Sequence, residues 1–112
     1  MNDNKLLATM LSYADERQVP GLSRFFKCGE GEYGEGDRFL GIKVPVTRAV
    51  VKECWQTTDF PHLEECITSP YHEVRLAALL TLIEIFNHAR RDEALRRRCI
   101  DFYLAHTAYI NN

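Results

Sequence analysis

The residues able to do chemistry fall into six groups. Gly29-Glu30-Gly31-Glu32-Tyr33-Gly34 matches the G-x-G-x-x-G pattern of a dinucleotide-binding loop letter for letter. That chemistry needs a strand before the motif and a helix opening directly from it, so that backbone N–H groups meet a pyrophosphate. The flanks here are Phe25-Phe26-Lys27-Cys28 and Glu35-Gly36-Asp37, and the carboxylates interleaved with the glycines would repel phosphate. A calcium loop fits no better, because the alternating Asp/Asn ligands and the terminal bidentate Glu are out of register.

Two basic groups come next. Arg90, Arg91, Arg96, Arg97 and Arg98 crowd the turn into the last helix, and Arg38, Lys43 and Arg48 lie around the exit of the glycine-rich segment. Each group is read either as a solvated face, with the arginines paired to Asp92, Glu93 and Asp101, or as an edge that contacts phosphate. His72-Glu73 has the residue types of an acid/base pair, but its position at a helix start favours capping, with Glu73 opposing the helix dipole. Trp55, Tyr33 and Tyr103 have rings that can stack on bases. Trp55 and Tyr103 lie on apolar helical faces, where core packing is the expected use.

The four cysteines, Cys28, Cys54, Cys66 and Cys99, form no Cys-x-x-Cys pair. With His62 four residues before Cys66, they still show no zinc-site spacing, so they are expected as reduced, small apolar residues. No metal site is expected.

The elements that must position these groups follow from periodicity. Leu6, Leu7, Met10, Leu11 and Ala14 mark one face of a first helix, which Val19-Pro20-Gly21 breaks, and residues 22–27 predict a short second one. Gly29 to Gly36 reads as a loop. Pro45 opens a third helix in its first turn, with Val46, Ala49, Val50 and Cys54 as the buried stripe. Thr57-Thr58-Asp59 caps a fourth, with Pro61 in its first turn, Leu63, Cys66 and Ile67 facing inward and Ser69-Pro70 as its stop. Between His72 and His88 apolar residues spread round the whole circumference, which predicts a helix buried on nearly all sides. Asp92 and Glu93 start the last helix, whose inward face is Leu95, Cys99, Phe102, Tyr103 and His106.

No segment alternates with period two over a useful length, so a sheet is not expected. The fold class is all-α. Six helices with short turns suggest stacked antiparallel pairs in a HEAT-like α-α superhelix, with a closed bundle as the alternative. At 112 residues the chain has room for one modest core, and it carries 46% hydrophobic residues with a net charge of -2. That composition excludes a disordered chain, and no window approaches the ~18 apolar residues of a membrane span. The N-terminus lacks a secretory pattern, which makes a cytoplasmic address the default. The slightly acidic total argues weakly against nucleic acid, although net charge does not report distribution.

The run Phe25-Phe26-Lys27, Gly31-Glu32-Tyr33-Gly34-Glu35-Gly36-Asp37-Arg38-Phe39-Leu40-Gly41-Ile42-Lys43-Val44-Pro45, then Arg48, resembles the N-terminal segment of bacterial DNA alkylation repair enzymes, the HEAT-like-repeat alkylpurine DNA glycosylases. Ser69-Pro70-Tyr71-His72-Glu73-Val74-Arg75-Leu76-Ala77-Ala78-Leu79 and Asp101-Phe102-Tyr103-Leu104 are similar to that family too, so the resemblance covers nearly the whole chain. It implies a superhelix whose basic concave face grips duplex DNA. It also implies excision of positively charged N-alkylated purines without a metal or organic cofactor. Such a base leaves an oxocarbenium-like sugar, and the enzyme must set a carboxylate and aromatic faces against that developing charge.

By the same resemblance, Tyr33, Arg38, Lys43 and Arg48 are the DNA-side residues. The family commonly follows Ile-Asn-Asn with a Trp-Asp segment that supplies the catalytic Asp, whereas this sequence ends at Ile110-Asn111-Asn112. No catalytic residue is therefore assigned. Residues 1–112 are expected to be the N-terminal part of the repair domain, stopping before its catalytic segment and inactive alone. Tyr103, Leu104 and Ile110 are then expected to be exposed, with self-association through the last helix as the consequence. A helical-repeat scaffold for a protein partner is the alternative function.

Overall fold

The structure, a computed structural model, describes residues 3–26, 29, 31 and 36–110. Among them are six α-helices: α1 (Lys5–Ser12), α2 (Val19–Phe25), α3 (Val44–Cys54), α4 (Phe60–Ile67), α5 (His72–Ala89) and α6 (Glu93–Ala105). Short 3₁₀ turns at Glu16–Gln18, Trp55–Thr57 and Thr107–Tyr109 join or follow them. The described residues contain no strand, only an isolated parallel bridge between Arg38 and Tyr71. The fold is all-α, and none of these helices is long and apolar enough to cross a membrane.

Local chemistry sets the helix starts. The Asn4, Asp59 and Asp92 side chains accept from the backbone N–H of Leu7, His62 and Leu95, satisfying donors that a helix leaves open. Asn4 also donates through Nδ2 to the His62 carbonyl at 3.1 Å and to Glu65 Oε1 at 2.8 Å, so one buried side chain caps α1 and ties it to α4. Pro45 and Pro61 sit in the first turns of α3 and α4, where their missing N–H costs nothing.

The core lies around α5, which packs against α1, α3, α4 and α6. Leu6, Met10, Leu63, Cys66, Val74, Ala77 and Ala78 are fully enclosed. Cys54, Cys66 and Cys99 are buried free thiols; burial pushes the Cys66 thiol up to about 11, which keeps it protonated and inert. Cys28 lies outside the described residues.

Several sequence expectations need correction. The second helix runs over Val19–Phe25 instead of residues 22–27, because Pro20 sits in its first turn, and Val19-Pro20-Gly21, expected only as a break, opens the helix. The buried set of α3 is Thr47, Val50, Val51 and Cys54, while Ala49 is exposed and Val46 half-buried. Because α3 packs against both α1 and α5, the i, i+3, i+4, i+7 row passes through Thr47, and a purely apolar count picks the wrong neighbour. In α1 the inward pair is Leu6 and Met10, with Leu11 46% exposed and Ala14 outside the helix. The first half of α5 is buried, but Ile83 is 44% exposed because α3 and α6 flank the second half without closing over it. Tyr103 is exposed, against its expected place on the inward face of α6 and in line with the expected exposure of Tyr103 and Leu104, which is also exposed; Ile110, expected exposed, is half-buried.

Candidate nucleic-acid interface

The segment that carries Arg38 and Lys43 is held by α5. Glu73 is 2% exposed, and its carboxylate accepts three backbone N–H bonds: Leu40 at 2.9 Å on Oε1, Gly41 at 2.9 Å and Ile42 at 3.0 Å on Oε2. A buried carboxylate is tolerable only with such partners, and three donors converging on it are a strong arrangement. The capping role expected for Glu73 and His72 is thus replaced by a longer-range one, since no side chain caps the α5 start.

Beside Glu73, Asp37 receives Arg75 Nη2 at 2.6 Å and lies 2.9 Å from His72 Nδ1. Burial works against the charge on Asp37, but the bonds from Arg75 and His72 outweigh it and hold its carboxyl below the usual carboxylate range. The His72 ring packs on both Phe26 and Phe39, at centroid distances of 4.4 and 4.8 Å, and those two rings touch each other at 5.6 Å, so the three form one cluster. Gly41 has φ +91° and presses so close to α1's exit that a Cβ there would lie 1.8 Å from the Asp15 carbonyl oxygen. Loop 37–42 therefore has one conformation, and it fixes where α3 begins.

The residues expected to face DNA are placed as follows. Tyr33 lies outside the described residues. Arg38 is exposed and lines a cleft of about 320 Å³ with Gly36, Asp37, Ser69, Arg75 and Tyr109. Lys43 is exposed at the α3 N-cap. Arg48 is exposed one turn into α3 and lines a different cleft, of about 440 Å³, between α3 and α5. Arg38 and Arg48 are thus not brought into one pocket. Among the described residues, the side chains of Arg38, Lys43, Arg48 and Lys52 enter no ion pair, in contrast to Arg17, Arg75 and Arg97.

The α3–α5 cleft also contains Lys52, Glu84 and His88, which the sequence reading passed over, and Trp55, which it expected to pack in the core. Lys52 stands one turn beyond Arg48 on α3, and Trp55 follows it, half-buried. From α5 come Glu84 and His88, whose imidazole stacks on the Trp55 indole with centroids 4.4 Å apart. The i, i+4 spacing of Arg48 and Lys52 was a readable signal. The pairing of Trp55 with His88, across 33 positions of sequence, was not.

The second arginine group resolves differently. Arg97 pairs with Asp101 at 3.2 Å, as expected, but Arg96 and Arg98 lie over the Phe86 and Phe60 rings, at 3.9 and 4.1 Å. Asp92 caps α6 instead of pairing with an arginine. No group of three or more metal-ligating side chains occurs among the described residues.

A family model described as DNA alkylation repair enzyme matches residues 6–112. No curated protein and no solved structure matches the chain significantly.

Proposed function

The chain belongs to the DNA alkylation repair enzyme family, and from that premise we propose that it is the DNA-gripping N-terminal part of a glycosylase acting on positively charged N-alkylated purines. The observation that carries the reading is that Arg38 and Lys43 around the clasped loop and Arg48 and Lys52 along α3 are exposed and, among the described residues, enter no ion pair. Unpaired surface cations release counterions when they meet phosphate, which is the main source of affinity for DNA. Arg38 and Lys43 are set by the Glu73 clasp, and Arg48 and Lys52 by α3, so the backbone under all four is rigid. We assign the whole to a HEAT-like superhelix acting in the cytoplasm, with duplex DNA bearing alkylated bases as its partner.

No catalytic carboxylate is assigned within residues 1–112, and the property proposed for them is DNA binding without base release. The test is titration of the chain with labelled duplex DNA at several salt concentrations, with a parallel assay for release of methylated purines. Affinity falls steeply with salt, and Lys43→Ala or Arg48→Ala each reduces the slope of log K against log[salt] by about 0.9. Binding that ignores salt and these substitutions would sink the reading, and base release above a heat-killed control would overturn the assignment of no catalysis.

A second reading rests on another surface. Ile83, Ile100 and Tyr103 are exposed around an apolar cleft of about 400 Å³ between α5 and α6. That face suits a protein partner or a second copy of the chain, and sedimentation at rising concentration separates the two: self-association supports a second copy, and a strict monomer leaves only the foreign partner.

A further inference from the structure

Trp55 is the single tryptophan of the sequence, and its indole face is occupied by an unusual neighbour. The His88 imidazole lies on it with ring planes 29° apart, yet the His88 side chain is 50% exposed. Its Nδ1 donates to the Glu84 carbonyl oxygen at 2.9 Å, one helical turn back, and lies 3.5 Å from Glu84 Oε2, a contact that departure of the ring would release for a base. A small flat nitrogen heterocycle thus lies on an indole at the rim of a cleft of about 440 Å³. The cleft walls differ in charge: Arg48 and Lys52 stand on the α3 side, Glu84 on the α5 side, with Val51, Leu80 and Ile83 between them.

Resting on the DNA reading above, we propose that this cleft holds one unstacked nucleotide of a DNA strand, with its base on Trp55 in the place now filled by His88 and its phosphates on Arg48 and Lys52. The charge division fixes the direction. Phosphates are drawn to the α3 wall and repelled from Glu84, so the sugar–phosphate backbone runs along α3 and the base points toward α5. Glu84, which as a carboxylate only accepts, then faces the base edge and favours one with an exocyclic amino group. A nucleobase offers a larger face than an imidazole, so exchange of the exposed His88 ring for a base gains stacking area on an already ordered indole.

The test titrates the 112-residue chain with a single-stranded oligodeoxycytidine, read by Trp55 fluorescence and by anisotropy of the labelled strand. Emission is quenched in step with binding. Trp55→Leu weakens binding about tenfold. Arg48→Ala and Lys52→Ala each lower the single-strand salt slope by about 0.7. His88→Ala, which clears the indole face without touching the core, tightens binding severalfold, and it carries the test if the tryptophan variant fails to fold. Unchanged emission at saturation, or weaker binding by His88→Ala, overturns the proposal. Salt-dependent duplex binding with a silent tryptophan sinks this nucleotide site and leaves the DNA reading standing, whereas no binding of either DNA form sinks both.

Discussion

At the N-terminal end of α5, His72, Glu73 and Arg75 are all engaged by the protein itself, on Asp37 and on the backbone of residues 40–42. At its C-terminal end, Glu84 and His88 face an open cleft shared with the unpaired Arg48 and Lys52. The same helix therefore carries charge of two kinds. The first kind is buried, multiply bonded and fixed, and its role is to hold loop 37–42 against the helix. The second kind lines the open cleft: Arg48 and Lys52 enter no ion pair among the described residues and can meet a ligand without first losing a partner, while Glu84 and His88 hold each other at 3.5 Å, half in solvent. Charged residues near a cleft say little about function until it is known which of them the fold already uses.

This contrast can be broken by substitution, beginning where the effect is largest. Glu73→Ala leaves the Leu40, Gly41 and Ile42 N–H groups without their acceptor in a buried site, an expected loss of about 4 kcal/mol and a fall in Tm of roughly 15 °C or more. Thermal unfolding by circular dichroism measures it, and a fall under a few degrees would show that the clasp is dispensable. Gly41→Ala meets the Asp15 carbonyl and an unfavourable φ together, with about 3 kcal/mol expected from the same measurement.

Asp37→Asn costs about 2 kcal/mol at neutral pH, and its pH signature is more telling. The folded pKa of Asp37 lies below that of the unfolded chain, so its contribution is complete above the unfolded value of about 3.9 and is lost as pH falls through the folded one. The stability difference between wild type and Asp37→Asn should therefore shrink in acid below about pH 4; a difference that stays constant would remove the charge from the account. At the other end of α5, Arg48→Ala with Lys52→Ala should change stability by no more than about 0.5 kcal/mol while weakening DNA binding. A large stability loss there would mean that these cations also belong to the fold.

The smallest expected effect is a gain. Thr47 Oγ1 is buried and has no hydrogen-bond partner among the described residues. Thr47→Val removes an unsatisfied hydroxyl at nearly the same shape and should stabilise by up to about 1 kcal/mol in chemical denaturation.

Much of the fold was legible because helices advertise themselves locally. Asp59 and Asp92 as caps, Pro45 and Pro61 in first turns and the stop at Ser69-Pro70 all act within a few residues. The Glu73 clasp was illegible for a physical reason: its partners lie 31 to 33 positions earlier, and they are backbone N–H groups that any residue but proline provides. Three polar residues, His72, Glu73 and Arg75, in an otherwise apolar helix start did signal that partners must exist, without saying where. The α3–α5 cleft was half legible. Arg48 and Lys52 share a face by spacing alone, but their meeting with Trp55 and His88 depends on how two helices pack, which residue spacing within either one does not encode.

The close contact between Asp15 and the 40–41 backbone has one more consequence. The Asp15 N–H donates to the Leu40 carbonyl at 2.8 Å, so the chain that leaves at residue 15 returns to the same point at residue 40. The excursion between them is closed at its base, and its returning segment is fastened again two residues earlier, where the His72 N–H donates to the Arg38 carbonyl at 2.8 Å. Lengthening such an excursion changes the free energy slowly, by about 0.6 kcal/mol for each doubling. A change of length inside the excursion should thus be absorbed behind the Asp15–Leu40 closure, without moving α1 or α3.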